Sequence, residues 1–213
     1  MARNTTSGRG SGKSGNKKLP SENRGLMLAL AGFTALLILV VAAVAIFSTI
    51  NTGQSAQKDQ NFTPKRQGLL PIGSKAPDFT VKTIDDGNAS LGGKSKSATL
   101  LVLFASWCPH CQAEAPTISS LEKKYPDLRV MMVSIPDKNA GWEQGDNPQN
   151  VRKFVNTYDI KGPAAYDPAV GRKYKVSGTP TIYVLDKNDK IVASNAGETP
   201  AGVLEGWIQK ALG

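Results

Sequence analysis

The feature that most constrains this chain is an apolar run, Ala98-Thr99-Leu100-Leu101-Val102-Leu103-Phe104-Ala105, ending two residues before a pair of closely spaced cysteines. A strand with apolar side chains on both faces must be covered on both faces, which puts it at the centre of a sheet in an α/β arrangement. From Cys111 to Tyr125 the apolar positions Ala115, Ile118, Leu121 and Tyr125 recur at helical spacing, with Glu114 near the start and Lys123 and Lys124 in the last turn. The cysteines therefore sit where a central strand turns into a helix.

The remaining pattern fits the same class. Phe79 to Ile84 alternates as a half-buried strand, and Asp85-Asp86-Gly87-Asn88 supplies turn residues, so a hairpin is expected at the entrance. Arg129 to Ile135 reads as a second buried strand, and Asn147-Pro148 as the cap and first turn of a helix reaching about Tyr158. Thr181–Leu185 and Lys190–Ala196 read as strands joined through Asp186–Asp189, and Thr199-Pro200 opens a last amphipathic helix. The order predicts one mixed α/β domain from Pro71 to Gly213, without internal repeats.

The segments before that domain differ in composition. The first 24 residues hold Arg3, Arg9, Lys13, Lys17, Lys18 and Arg24 against Glu22 alone, which is +5 of the net +9, with almost nothing apolar to bury. Such a tail is expected to be disordered. Gly25 to Ile50 contains no charged residue and is long enough to cross a hydrocarbon core of about 30 Å as a transmembrane helix. Basic residues on its N-terminal side predict a cytoplasmic N-terminus, a single pass of the cell membrane and an extracytoplasmic domain. The alternative is a signal peptide cleaved near Ala43-Val44-Ala45, disfavoured because the apolar run before it exceeds the usual ~7–15 residues. Residues 51–70 are polar and read as a flexible linker. Because the basic excess lies in the tail and linker, the domain has no evident basic face, and nucleic acid is rejected as a partner.

Two thiols separated by two residues at a helix start suit reversible disulfide chemistry. Cys108, at the N-terminus where backbone N–H groups and the helix dipole stabilise an anion, is the expected nucleophile. Cys111, one turn further in, is the expected resolving thiol. A purely structural disulfide would close too short a loop to restrict the unfolded chain much. No metal or cofactor is expected beyond the cysteine pair.

With these residues on the page, the region from Pro71 to Gly213 resembles the thioredoxin superfamily, specifically the exported, membrane-tethered thiol-disulfide oxidoreductases of the TlpA and ResA type. The resemblance rests on Gly73-Ser74-Lys75-Ala76-Pro77-Asp78-Phe79, on Phe104-Ala105-Ser106-Trp107-Cys108-Pro109-His110-Cys111, on Pro116 in the following helix and on Gly178-Thr179-Pro180-Thr181. It implies a thioredoxin-like fold, a central mixed sheet flanked by helices, with an extra helix between Cys111 and Pro180. It also implies a cis peptide before Pro180, with Thr179 pairing to an extended protein substrate and Trp107 forming the lip of the site. The implied partners are protein thiols or disulfides and a membrane redox partner; relatives act mostly as reductants for apocytochrome c, in cytochrome c-type biogenesis, or for copper-site thiols.

Some residues depart from that pattern. Thioredoxin carries a buried Asp on the central strand where this chain has Val102. Glu114 fits a Cys-x-x-Cys-x-x-Glu pattern and is a candidate proton acceptor, although a solvated Glu in the first turn is the commoner arrangement and the preferred reading. The Cys-Pro-His-Cys sequence is that of the DsbA-type oxidants: a protonated His110 near the helix start would stabilise the Cys108 thiolate and favour the dithiol. Reductant and oxidant both remain open on these residues. A peroxidase would need Pro and Thr where Leu101 and Ala105 stand, and a copper chaperone would need a second His in a chain that has one.

Overall fold

The computed structural model describes Leu36, residues 38–43, residues 61–93 and residues 97–213. The chain divides into two compact units, Met1–Asn51 and Thr52–Gly213. In the first, Leu36 and residues 38–43 are helical, and Leu36, Ile38, Leu39, Val40 and Val41 are each more than half exposed. The basic tail, most of the span expected over Gly25–Ile50 and linker residues 51–60 lie outside the described residues. Among the described residues no helix is long and apolar enough to cross a membrane.

The second unit opens with an antiparallel hairpin of β1 (Phe79–Lys82) and β2 (Asn88–Leu91), at the place its alternation predicts. A five-stranded sheet follows, built from β3 (Thr99–Phe104), β4 (Arg129–Ser134), β5 (Ala164–Tyr166), β6 (Thr181–Leu185) and β7 (Ile191–Ala196) in the order β5-β4-β3-β6-β7. β3, β4 and β5 run parallel, while β6 pairs antiparallel with β3 and β7 with β6. Four helices cover the sheet: α1 (Pro109–Lys124), α2 (Pro148–Thr157), α3 (Pro168–Lys173) and α4 (Ala201–Leu212). This is the thioredoxin-like mixed sheet flanked by helices.

β3 is central because five of its six side chains, on both faces, are large and apolar. All six of its residues are buried, and alternate ones serve different cores. Leu100, Val102 and Phe104 pack with Ala115 and Ile118 of α1, Val151 and Phe154 of α2, and Leu204 and Ile208 of α4. Leu101 and Leu103 face the other layer, with Leu91 of the hairpin, Val170 of α3 and Tyr174. Each core side chain of this size removed from water contributes on the order of 1.5–3 kcal/mol, so the strand that feeds the cysteines is among the least deformable parts of the domain.

The stretch between α1 and β6 is longer than the sequence pattern alone resolves. α2 is the expected extra helix, capped by Asn147 Oδ1 accepting from Asn150 N at 2.8 Å. β5, only three residues long, and α3, only six, are not anticipated, because elements this short carry no readable periodicity. The stretch is tied to α1: Glu122 accepts from Lys161 N at 2.8 Å and Gly162 N at 2.6 Å. Gly162 is required there, since a Cβ would lie 2.1 Å from the Val130 carbonyl oxygen.

A second difference concerns residues 61–70, expected to belong to the linker. They lie against the domain: Lys65 N donates to Asn195 Oδ1 at 2.7 Å, Ala196 N donates to Lys65 O at 2.9 Å, and Phe62 contacts the Trp207 ring. The physical reason is the exposed edge of β7, whose unpaired backbone groups recruit an extended segment despite its polar composition. Leu69 and Leu70 then pack on the second core.

Candidate active site

β3 ends at Phe104, and Ala105, Ser106 and Trp107 carry the chain over the sheet edge to Cys108, the N-cap of α1. Cys108 has extended backbone angles, its N–H donates to Ala105 O at 3.2 Å, and its carbonyl accepts the Gln112 N–H at 3.0 Å. No side-chain oxygen caps the helix. Pro109 takes the first helical position, where a missing N–H costs nothing and the fixed φ suits the helix. The next two amides, of His110 and Cys111, are left without an intrahelical acceptor.

Those amides face the Cys108 sulfur. Burial of Cys108 acts to raise its pKa, but hydrogen bonds from the Thr179 side chain, from the backbone and side chain of Cys111 and from the His110 backbone outweigh it. The Cys108 thiol is held below its ordinary value of 9.0. Cys111 behaves in the opposite sense: burial, reinforced by repulsion from a charged Cys108, pushes it far above that value. Both thiols are free and both are largely shielded from solvent. The arrangement chemically separates one ready nucleophile from one thiol that needs its proton removed before it can attack.

The Thr179–Pro180 peptide bond is cis, as the resemblance implies, and it borders the cysteines. The Cys108 Sγ–H donates to the Thr179 carbonyl at 3.5 Å. This contact favours the thiol, whereas the Thr179 side-chain bond favours the thiolate; the lowered pKa reflects the sum, in which the donors prevail. Pro180 is buried and its carbonyl accepts from Gly197 N at 2.7 Å, which fixes the loop between β7 and α4 beside it.

Glu114 corrects the preferred reading. It is not solvated: only 4 % of it is exposed. Because α1 begins at Pro109, Glu114 lies beyond the first turn, one turn on from Cys111 and on the same face. One carboxylate oxygen accepts from Thr199 N at 2.9 Å, while the other has no hydrogen-bond partner among the described residues. Burial, partly offset by the Thr199 amide and helped by the charge of Glu198, raises its pKa to about 8. A buried carboxyl is therefore present, on α1 rather than on the central strand, where Val102 is packed into the core.

Trp107 is half-buried, and its Nε1–H donates to Gly145 O at 3.2 Å. The next residue, Asp146, is one that sequence reasoning misses. Its carboxylate accepts from Ser106 N and Ser106 Oγ at 2.8 Å, from Ser134 Oγ at 2.6 Å and from Asn147 N at 2.9 Å. These bonds lock the turn that presents Cys108 to the loop before α2. The only signal is an Asp beside a capping Asn, which reads equally well as ordinary loop chemistry. His110 is the other surprise: its side chain is 70 % exposed and Nδ1 lies 2.5 Å from Glu198 Oε1. Among the described residues no group of three or more His, Cys, Asp or Glu side chains could hold a metal ion.

Comparison with known proteins agrees with this geometry. The family model described as AhpC/TSA matches residues 72–194. The thiol-disulfide oxidoreductase ResA of Bacillus anthracis is 28 % identical over 178 residues, covering 82 % of this chain and 92 % of that protein. The thioredoxin-like protein YneN of Bacillus subtilis (strain 168) is 32 % identical over 140 residues, 65 % of this chain and 78 % of that protein. Among solved structures, a candidate thiol:disulfide interchange protein DsbE from Chlorobium tepidum superposes with a TM-score of 0.55 at 30 % identity, over 68 % of this chain and 99 % of that one. The chain belongs to the AhpC/TSA family, with a thioredoxin-like fold, and is a thiol-disulfide oxidoreductase of the ResA and DsbE type.

Proposed function

We propose that this protein exchanges disulfides with exported protein substrates through Cys108 and Cys111, from an anchor in the cell membrane. The observation that carries the reading is the placement of two free thiols on one helix turn, Cys108 at the uncapped N-terminus and Cys111 buried within, which shifts their acidities in opposite directions. In the reducing direction the Cys108 thiolate attacks a substrate disulfide, forming a mixed disulfide and releasing one substrate thiolate, which takes up a proton. Cys111 then loses its proton and attacks Cys108 Sγ, so the second substrate thiol leaves and the Cys108–Cys111 disulfide forms. A dithiol donor, expected to be a membrane redox partner, restores the starting state. Run backwards, the same steps oxidise substrate thiols.

Other site residues have assignable parts. The Thr179 backbone and the Trp107 lip flank Cys108, where they can pair with an extended substrate chain. Pro109 leaves the His110 and Cys111 amides free for the thiolate, and Pro180 keeps Thr179 in place. Glu114, with a pKa of about 8 and one oxygen unpartnered, is suited to exchange the Cys111 proton near neutral pH.

Anchoring is supported by the uncharged run Gly25–Ile50, by the basic residues that precede it and by helical, exposed Leu36 and Ile38 to Val41 within it. An alkaline phosphatase fused after Leu70 is expected to be active in a bacterial host; an inactive fusion contradicts export of the domain.

The exchange mechanism predicts an asymmetry between single variants. Cys111→Ser accumulates mixed disulfides with protein thiols, visible as non-reducing gel shifts, whereas Cys108→Ser forms none and does not reduce insulin. Trapping by Cys108→Ser alone would reverse the assignment. Glu114 also predicts a pH dependence. Its folded pKa of about 8 exceeds the ordinary 4.5, so the folded state binds the extra proton between those values. Its contribution to stability is fully present below about pH 4.5 and is lost as pH rises through about 8. Glu114→Gln should therefore gain stability over wild type at about pH 9 and lose that advantage at about pH 4, in urea unfolding. Parallel pH profiles for the two proteins would remove Glu114 from the account.

A further inference from the structure

The loop between β7 and α4 holds a charge beside the site that the exchange mechanism does not use. Glu198 Oε1 lies 2.5 Å from His110 Nδ1, joining this loop to the residue between the two cysteines. The loop is fixed at several points. Gly197, at φ 108°, adopts a conformation that side chains disfavour, and its N–H donates to Pro180 O at 2.7 Å. Asn195, 1 % exposed, donates through Nδ2 to Gly197 O at 2.9 Å, Glu198 O at 3.1 Å and Thr199 Oγ1 at 3.2 Å. Thr199 N in turn donates to the buried Glu114. Glu198 thus projects from a backbone clamped to the Pro180 loop on one side and to α1 on the other.

We infer that Glu198 is a positioning residue that sets how oxidising the Cys108–Cys111 pair is, by holding the His110 imidazole to itself and offsetting its charge. The inference rests on the thiol-exchange reading and deepens it. A cationic imidazole free to approach the open end of α1 would stabilise the Cys108 thiolate and with it the dithiol. Paired with a carboxylate on a fixed loop, the same imidazole presents nearly no net charge to the sulfur, and what His110 contributes is its backbone N–H. The Cys-Pro-His-Cys sequence is then a weaker oxidant in this chain than those four residues imply on their own. Lys65, which lines the same groove as His110 and Glu198, is the other charged side chain there. Lys65 is kept in every variant below, and the Glu198 charge also acts on buried Glu114, an effect that persists without the imidazole and so is separated by the His110→Gln background.

Both side chains are well exposed, 70 % for His110 and 47 % for Glu198, so solvent screens the pair and the effect is severalfold rather than orders of magnitude. The test is the equilibrium of the full chain, in detergent, with glutathione. Each glutathione disulfide consumed converts Cys108 and Cys111 into one disulfide and releases two glutathione thiols. Relative to wild type, Glu198→Gln is expected to shift this equilibrium toward the dithiol by about threefold, the size of an exposed charge interaction near a helix end. A tenfold shift would correspond to about 30 mV. The same variant should lower the Cys108 pKa read from thiolate absorbance, a change that a merely structural role would not produce. In a His110→Gln background the effect of Glu198→Gln should fall to less than about half, since the imidazole carries it. An unchanged equilibrium, or an equal shift in both backgrounds, overturns the inference while leaving thiol exchange intact. A wild-type chain that forms no Cys108–Cys111 disulfide at any glutathione ratio overturns both.

Discussion

The site depends on an unfilled helix end. α1 begins with Pro109 and has no side-chain cap, so the His110 and Cys111 amides have no protein oxygen to serve and turn instead to the sulfur of Cys108. The same helix carries Cys111 one turn inward, where the loss of solvent outweighs the hydrogen bond from the Ala105 backbone. A single turn of helix, with the hydrogen bonds around it, therefore shifts the two thiols in opposite directions, and the proposed division of labour between attack and resolution rests on that difference.

Such a helix end works only if it is held still. β3, buried on both faces, fixes where the turn begins, and Asp146 fixes the turn itself through four hydrogen bonds that reach Ser106, Ser134 and Asn147. The loop from Gly197 to Thr199 holds the other side, joining Pro180, Glu114 and His110. Segments far apart in the chain thus converge on five residues, Ser106 to His110. Their polar groups are bonded to those distant segments, Ser106 to Asp146, Trp107 to Gly145 and His110 to Glu198, which restrains the turn that carries Cys108.

Much of this is legible in the order of residues, and the failures share a cause. β3, α1, the hairpin and the last helix are long enough for periodicity to declare them, and the cysteines declare their own chemistry. β5 and α3 are too short to show a period. Glu114 reads as solvated because a Glu near a helix start usually is; what buries it is Thr199 and the loop around it, 85 residues away. Asp146 and Glu198 act across separations of 40 and 88 residues, and no local pattern marks an Asp or Glu whose partner is that distant. The docking of residues 61–70 is hidden likewise, since it depends on β7 being an edge strand, a property of the sheet order and not of either segment.

The account stands on the claim that one helix turn gives Cys108 and Cys111 opposite acidities. The most direct measurement is the pH dependence of iodoacetamide modification of the reduced full chain, with each adduct located by mass spectrometry. The account predicts that Cys108 is modified with a midpoint below 9.0, while Cys111 stays unmodified across the same range. Modification of Cys111 first, or of both thiols with one midpoint near 9.0, would contradict it.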